Sequence, residues 1–194
     1  FFNPPRYMHL LEIIAGEDTD PEVVRFMAEF GENVLGKGIV YAKDTPNFVA
    51  NRILTAATNY ILYEMPKRGL TPEDVDALTG PNVGHAKSAT LRTLDLVGLD
   101  TYVHVIGNVY NNDPNDEHRD MWVAPDYVKK MVEKGYLGEK TGSGFYKRTP
   151  ERDEKGKPII WAIDLETLEY RPPRKPRFDC IGAARKAATL EEKI

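Results

Sequence analysis

The first 43 residues alternate between short apolar runs and an amphipathic segment. Residues 7–14 are a short, mostly apolar run rich in large side chains, which predicts a buried strand. Asp20-Pro21-Glu22 is typical of a helix start, and apolar residues then recur every three or four positions until about residue 34. Residues 39–41 are apolar again and predict a second strand. The pattern therefore predicts a β-α-β unit.

From residue 44 to about residue 147 the pattern predicts helices. The longest follows Asp44-Thr45-Pro46 and covers residues 47–65, with apolar side chains on nearly all faces. Such a helix is usually central to a bundle or an interface. Thr71 and Asp74 predict a capping box at the next helix start. Further helices are predicted over three segments: 89–96, 99–110 and 125–134. The fold class expected is mainly α.

The composition changes at Lys147. Residues 147–157 are almost all charged, Gly or Pro, which predicts a linker. Two apolar runs that follow, 159–163 and 167–170, predict a small hairpin. The segment 148–194 is therefore expected to be a linker and tail.

Overall composition excludes several classes of protein. The chain has 26 Lys and Arg against 30 Asp and Glu, a net charge of −4, which does not favour binding to nucleic acid. A single cysteine cannot form an internal disulfide, and no Cys/His cluster has zinc-ligand spacing, so no metal is expected. No apolar run approaches the roughly 18 to 20 residues of a membrane span. We expect a cytoplasmic protein, and because Phe1 is not an initiator Met, a piece of a longer one.

The sequence contains no glycine-rich dinucleotide motif, P-loop, HExxH or GxSxG pattern. It nevertheless resembles the 3-hydroxyacyl-CoA dehydrogenases over residues 1–147. Five segments carry the resemblance, in the same order as in that family: Phe1-Phe2-Asn3-Pro4, Leu10–Ile14, Lys43–Arg52, Leu94–Asp100 and Gly138–Tyr146.

This resemblance implies a fold and a function. Residues 1–43 would be the end of a Rossmann-like NAD-binding domain, and 44–147 the helical C-terminal domain. The activity implied is NAD-dependent oxidation of (S)-3-hydroxyacyl-CoA to 3-oxoacyl-CoA in fatty-acid β-oxidation, with an acyl-CoA substrate and a homodimer. The segment Gly84–Thr93 and the tail are similar to long fused members that also carry an enoyl-CoA hydratase module.

Two residues match catalytic positions of the family. Glu12 matches the glutamate that pairs with the catalytic histidine, where a carboxylate orients the ring and stabilises the imidazolium. Without the resemblance, the sequence favours a solvent-facing carboxylate on an edge strand, and the family match reverses this preference. Asn51 matches an asparagine that binds the substrate oxygen, and the alternative is a core asparagine bonded to backbone.

Two further residues match cofactor-binding positions. Asn3 matches a residue beside the nicotinamide, although an Asn-Pro turn explains it as well. Lys140 matches a lysine that reaches the cofactor phosphates, although a lysine in a glycine-rich loop is usually only solvated. His9 is rejected as a catalytic base, since its spacing from Glu12 places the two side chains on opposite faces of a strand.

The family's catalytic histidine stands immediately before Phe-Phe-Asn-Pro, so the resemblance places it before Phe1. The chain alone is therefore expected to be inactive and to bind NAD weakly, but to self-associate. Two other functions stay open: a dimerisation and acyl-binding module without chemistry, and a related 2-hydroxyacid-type dehydrogenase. The second is disfavoured because Phe-Phe-Asn-Pro and Asp-Thr-Pro-x-Phe occur together.

Overall fold

Two parallel strands and an intervening helix dominate the first of two structural units, Phe1–Ala56. The structure, a computed structural model, describes residues 1–189 and 191. The elements of this unit are β1 (Leu10–Ile14), α1 (Pro21–Asn33) and β2 (Gly38–Ala42). β1 pairs in parallel with β2, with Leu10 opposite Gly38. The predicted β-α-β unit is confirmed.

Local chemistry explains these boundaries. The Asp20 side chain accepts the N–H of Glu22 at 2.8 Å and so caps α1, as its sequence predicts. Gly31 lets α1 approach the strands, because a Cβ there would lie 2.8 Å from side chains of both Leu11 and Ile39. The prediction that the first strand begins at residue 7 is wrong. The N–H of Tyr7 bonds to the carbonyl of Pro4 in a turn, so the strand starts at Leu10.

The second unit begins at Ala57, within the longest helix, and is mostly helical in the part that the structure describes. Its helices are α2 (Ala50–Lys67, shared with the first unit), α3 (Pro72–Leu78), α4 (Leu91–Val97), α5 (Leu99–Asn112) and α6 (Asp126–Glu133). Leu62, Leu99, Ile106 and Val128 are fully buried and form its core. The mainly α fold class is confirmed.

Hydrogen bonds, in addition to apolar packing, hold the helices of this unit in place. The predicted capping box is present, with the Thr71 hydroxyl and the Asp74 carboxylate each accepting the other's backbone N–H. Asn59 on α2 is fully buried, donates to the backbone carbonyls of Met121 and Val123, and accepts the Tyr102 hydroxyl. Because each polar atom is paired, the cost of desolvating this buried amide is compensated by the hydrogen bonds that hold α2 against α5.

The segment after residue 145 corrects the prediction of a linker. Strands β3 (Tyr146–Arg152), β4 (Pro158–Ile163) and β5 (Tyr170–Arg171) form an antiparallel sheet, followed by helix α7 (Asp179–Lys186). The predicted hairpin is confirmed by the pairing of β4 with β5. Residues 147–157 were expected to be a linker because of their charges, but β3 is an edge strand whose charged side chains are exposed.

This sheet belongs to the core of the second unit. Phe145, Ala162 and Ile163 are fully buried. The Arg171 guanidinium forms a bidentate ion pair with the Glu73 carboxylate at 2.8 and 3.0 Å, with the two side chains 17% and 8% exposed. This pair ties the end of the sheet to the start of α3.

Candidate functional site

Glu12 lies at the centre of the candidate site in the first unit. It is half-buried on β1, and its Oε1 accepts the backbone N–H groups of Val49 at 3.1 Å and Ala50 at 2.7 Å. Helix α2 begins at Ala50, so the carboxylate caps that helix from another element and meets the positive end of its dipole. The alternative of a solvent-facing Glu12 on an edge strand is therefore wrong.

A strained turn delivers those two N–H groups to Glu12. Asn47 and Phe48 both have positive φ, 64° and 49°, immediately before Val49. Positive φ is tolerated by asparagine but unusual for a bulky residue such as phenylalanine. Strain of this kind is concentrated at functional sites. The Asp-Thr-Pro motif is visible in the sequence, but nothing in the sequence predicts the positive φ angles of the two residues that follow it.

Asn51 lies in the first turn of α2, next to the residue that Glu12 caps. Its side chain is exposed and makes no hydrogen bond within the described part of the chain, while its carbonyl accepts the Thr55 hydroxyl at 2.6 Å. The alternative of a core asparagine bonded to backbone is thus wrong. The contact between Glu12 and Ala50 brings Asn51 to the same end of the helix as the carboxylate.

Asn3 lies in the turn before β1 and is exposed, with a side chain that has no hydrogen-bond partner among residues 1–189 and 191. A lysine fixes this turn. The Lys37 Nζ donates to the carbonyl oxygens of Pro5 at 2.5 Å and Met8 at 2.6 Å. The sequence analysis missed Lys37, because its partners are distant along the chain. His9 is exposed and precedes β1.

Lys140 belongs to the second unit, on a short 3-10 turn, Glu139–Thr141. Its side chain is 45% exposed and its Nζ lies 2.5 Å from Asp100 Oδ1 and donates to Oδ2 at 2.7 Å. The bond to Lys140 lowers the pKa of the Asp100 carboxyl below its usual value. The lysine is held by a specific partner rather than only solvated.

Asp95 joins the segments 94–100 and 138–146 in space through hydrogen bonds. Its buried carboxylate accepts the backbone N–H groups of Phe145 at 2.8 Å and Tyr146 at 2.9 Å. A Cβ at Gly144 would collide with this carboxylate, and one at Gly138 with the Asp95 backbone. Burial raises the pKa of the Asp95 carboxyl to about 7, despite the two N–H donors.

A cavity of about 360 Å³ lies beside Asp95 and is lined by Arg92, Tyr146 and Arg148, but by none of the predicted site residues. Within the described residues, no group of three or more His, Cys, Asp or Glu is arranged to hold a metal ion. In that same part of the chain, no helix has the length and hydropathy of a membrane span.

Comparison with known families gives the decisive match. Residues 48–148 match the family described as 3-hydroxyacyl-CoA dehydrogenase, C-terminal domain, and residues 1–45 match 3-hydroxyacyl-CoA dehydrogenase, NAD binding domain. The chain belongs to the 3-hydroxyacyl-CoA dehydrogenase family. The predicted family is confirmed, and the match to the NAD-binding domain supports NAD as the cofactor.

Individual members of the dehydrogenase family are similar in sequence to most or all of this chain. A probable 3-hydroxyacyl-CoA dehydrogenase of Bacillus subtilis is 47% identical over 194 residues, all of this chain and 24% of the relative. A protein of the same description from Deinococcus radiodurans is 51% identical over 158 residues, 81% of this chain and 44% of the relative. The chain thus spans less than half the length of either relative.

A solved structure shows the same fold. The (S)-3-hydroxybutyryl-CoA dehydrogenase of Ralstonia eutropha superimposes with a TM-score of 0.63 at 31% identity. The match covers 74% of this chain and 49% of the Ralstonia chain. The family's fold therefore accounts for most of the chain described above.

Proposed function

We propose that this chain is part of an NAD-dependent (S)-3-hydroxyacyl-CoA dehydrogenase that oxidises 3-hydroxyacyl-CoA to 3-oxoacyl-CoA in fatty-acid β-oxidation. The observation that carries the proposal is the pair of hydrogen bonds from Val49 and Ala50 to Glu12. They bring two family motifs together and hold the carboxylate at the end of α2 that carries Asn51.

Glu12 positions the proton acceptor. Its Oε1 accepts the two backbone N–H groups at the start of α2, while its Oε2 makes no hydrogen bond within the described residues. That second oxygen suits the ring N–H of the family's histidine, which precedes the Phe-Phe-Asn-Pro motif. A carboxylate there fixes the tautomer that leaves the other ring nitrogen free to take the hydroxyl proton, and it stabilises the imidazolium that forms.

Asn51 holds the substrate oxygen. An exposed amide with no partner in the described part of the protein can donate its N–H to the oxygen on the reacting carbon. That oxygen becomes a carbonyl as hydride leaves, and a fixed donor stabilises the charge that develops on it. Placement on the first turn of a helix fixes the backbone of Asn51 relative to Glu12.

We propose that two residues of this chain, one in each unit, can each contact NAD. When bound, NAD supplies the acceptor for the hydride. The exposed amide of Asn3 can bind the nicotinamide side, and the ammonium of Lys140 can bind phosphate oxygens. The glycine-rich turn that cradles the pyrophosphate in such domains is absent from the sequence, so we propose that most NAD contacts come from another segment of the protein.

We also propose that the protein is a homodimer and belongs to a long fused type. Ile53, Ala57 and Tyr60 recur on one face of α2 and are exposed, Ile53 at 67% and Tyr60 at 56%. An apolar stripe of this kind suits contact with a second copy. The Bacillus relative is about four times as long as this chain, which leaves room for a hydratase module.

A chimera tests the proposed activity. The 194 residues replace the matching segment of the Bacillus subtilis relative, and NADH formation is measured with (S)-3-hydroxyacyl-CoA substrates. The unaltered relative serves as the positive control. We expect the chimera to keep activity within about tenfold of that relative, since a disrupted site typically costs 10²-fold or more. A folded chimera that binds NAD but shows no turnover would overturn the proposal.

The isolated 194-residue chain tests the proposed self-association and the assignment of the cofactor contacts. We expect it to bind NAD only weakly and to show no turnover, because its sequence lacks the glycine-rich cradle. We expect it to self-associate through the exposed apolar stripe of α2. Light scattering and an NAD titration measure both properties. A monomer at micromolar concentration would contradict the dimer, and a micromolar NAD affinity would contradict the assignment of the cofactor contacts.

A further inference from the structure

The segments 94–100 and 138–146 meet at a second point besides Asp95. The Lys140 ammonium contacts both carboxylate oxygens of Asp100, at 2.5 and 2.7 Å, although the two residues are forty positions apart. Asp100 lies in the first turn of α5. The resemblance gives Lys140 a role and gives Asp100 none, so the partner of the lysine is the new feature.

The backbone of Lys140 is fixed independently of that pair. Its turn is closed by the Gly138 N–H, which donates to the Ser143 carbonyl at 2.7 Å, and by the Gly142 N–H, which donates to Glu139. Gly138 packs against the backbone of Asp95. The base of the lysine side chain is therefore rigid before any ligand binds.

The tip of the side chain is held over Gly98. This glycine has a φ of 96°, and a Cβ there would lie 2.8 Å from the Lys140 Nζ. The lysine thus occupies space that a side chain at position 98 would fill. Asp100 on one side and Gly98 beneath it therefore restrict the tip of a side chain that has four flexible bonds and is 45% exposed.

Confinement matters for binding an anion. A free lysine loses side-chain entropy when it binds, and a preorganised one has already lost it on folding. An ammonium group has three N–H donors, so donors remain for a phosphate oxygen while Asp100 is bound. Resting on the proposed function, we propose that Asp100 is a positioning residue that holds Lys140 for its contact with the cofactor phosphates.

Substitutions in the full-length dehydrogenase test this role. Asp100→Asn keeps the shape and removes the charge that holds the lysine. We expect the Kd for NAD, measured by calorimetry, to rise about three- to tenfold, and the KM for NAD to rise more than kcat falls. Asp100→Glu keeps a carboxylate and is expected to retain most of the affinity.

A double mutant separates positioning from a general electrostatic effect. Lys140→Met is expected to weaken NAD binding, and adding Asp100→Asn to it is expected to change the Kd no further. The matched control is Asp126→Asn, which breaks the exposed Lys129–Asp126 pair at 3.3 Å and is expected to leave the Kd unchanged. Melting temperatures of all variants exclude unfolding as the cause.

The outcomes distinguish the cofactor role of Lys140 from the positioning role of Asp100. If Lys140→Met leaves the Kd for NAD unchanged, the cofactor role of Lys140 fails and the role of Asp100 fails with it. If Lys140→Met weakens binding but Asp100→Asn leaves it unchanged or strengthens it, the positioning role alone is wrong. An Asp100→Asn protein that melts at assay temperature, with an Asp100→Glu protein that folds but loses NAD affinity, would also overturn it.

Discussion

The Glu12 carboxylate accepts the N–H of Ala50 at 2.7 Å, across thirty-eight residues of sequence. This bond joins strand β1 to the first turn of α2 and sets the spacing between the carboxylate and Asn51. Glu12 consequently has two tasks, capping a helix and, as we propose, orienting a histidine. Glutamine in its place keeps an oxygen for the cap but removes the charge, so the two tasks can be separated experimentally.

The turn before α2 gives a prediction about stability. Asn47 has a φ of 64°, which glycine adopts freely and alanine does not. We expect Asn47→Ala to be about 1–2 kcal/mol less stable than Asn47→Gly, because both lose the amide and only alanine is strained. Urea unfolding of the two variants measures the difference. Equal unfolding free energies would show that the strained turn is absent in solution.

Asn51→Ala should reduce turnover without changing stability. The side chain is exposed and unbonded within the described residues, so its removal leaves the fold intact. Loss of one donor to a developing oxyanion typically costs about 2.7–4 kcal/mol in kcat. Steady-state kinetics of the full-length enzyme check this, with Asn33→Ala on α1 as an exposed control. Unchanged kcat with a weaker affinity for NAD would reassign Asn51 to the cofactor.

Asp95 predicts a pH dependence of stability. Burial raises its pKa to about 7, so the folded protein holds a proton that the unfolded chain releases near its ordinary pKa of 3.8. The contribution of Asp95 to the unfolding free energy is therefore largest below about pH 4 and falls as the pH rises to about 7. Asp95→Asn should make the unfolding free energy, measured with urea, depend less on pH between about pH 4 and pH 7. An unchanged slope would contradict the assignment.

The sequence predicts elements better than it predicts contacts. The caps at Asp20 and Thr71 were predictable because helix-start chemistry is local. The partners of Glu12 and Lys140 were not, since they lie 38 and 40 residues away and depend on how the elements pack. The prediction of a linker failed because exposed charges on an edge strand have the composition of a loop, whereas burial at Phe145 and Ile163 decides the structure.

Substitution of Ile163 tests whether the final sheet belongs to the second unit. This side chain is fully buried, and Ile163→Ala should cost about 2–5 kcal/mol of unfolding free energy. Val83→Ala, at a site that is 58% exposed, should change it by less than about 0.5 kcal/mol. If the two variants are equally stable to urea, residues after 147 do not contribute to the core.

The kcat of Glu12→Gln in the full-length enzyme tests the central claim most directly. Glutamine can still accept the Ala50 N–H, so the fold and the cap are kept while the charge that stabilises an imidazolium is lost. With saturating (S)-3-hydroxyacyl-CoA and NAD, and with Glu17→Gln as an exposed control, we predict a loss of about 100-fold or more in kcat and little change in KM. A Glu12→Gln enzyme within about threefold of the unsubstituted protein would contradict the account, because general acid–base catalysis typically contributes about 10²- to 10⁴-fold and Glu12 is proposed to support the base.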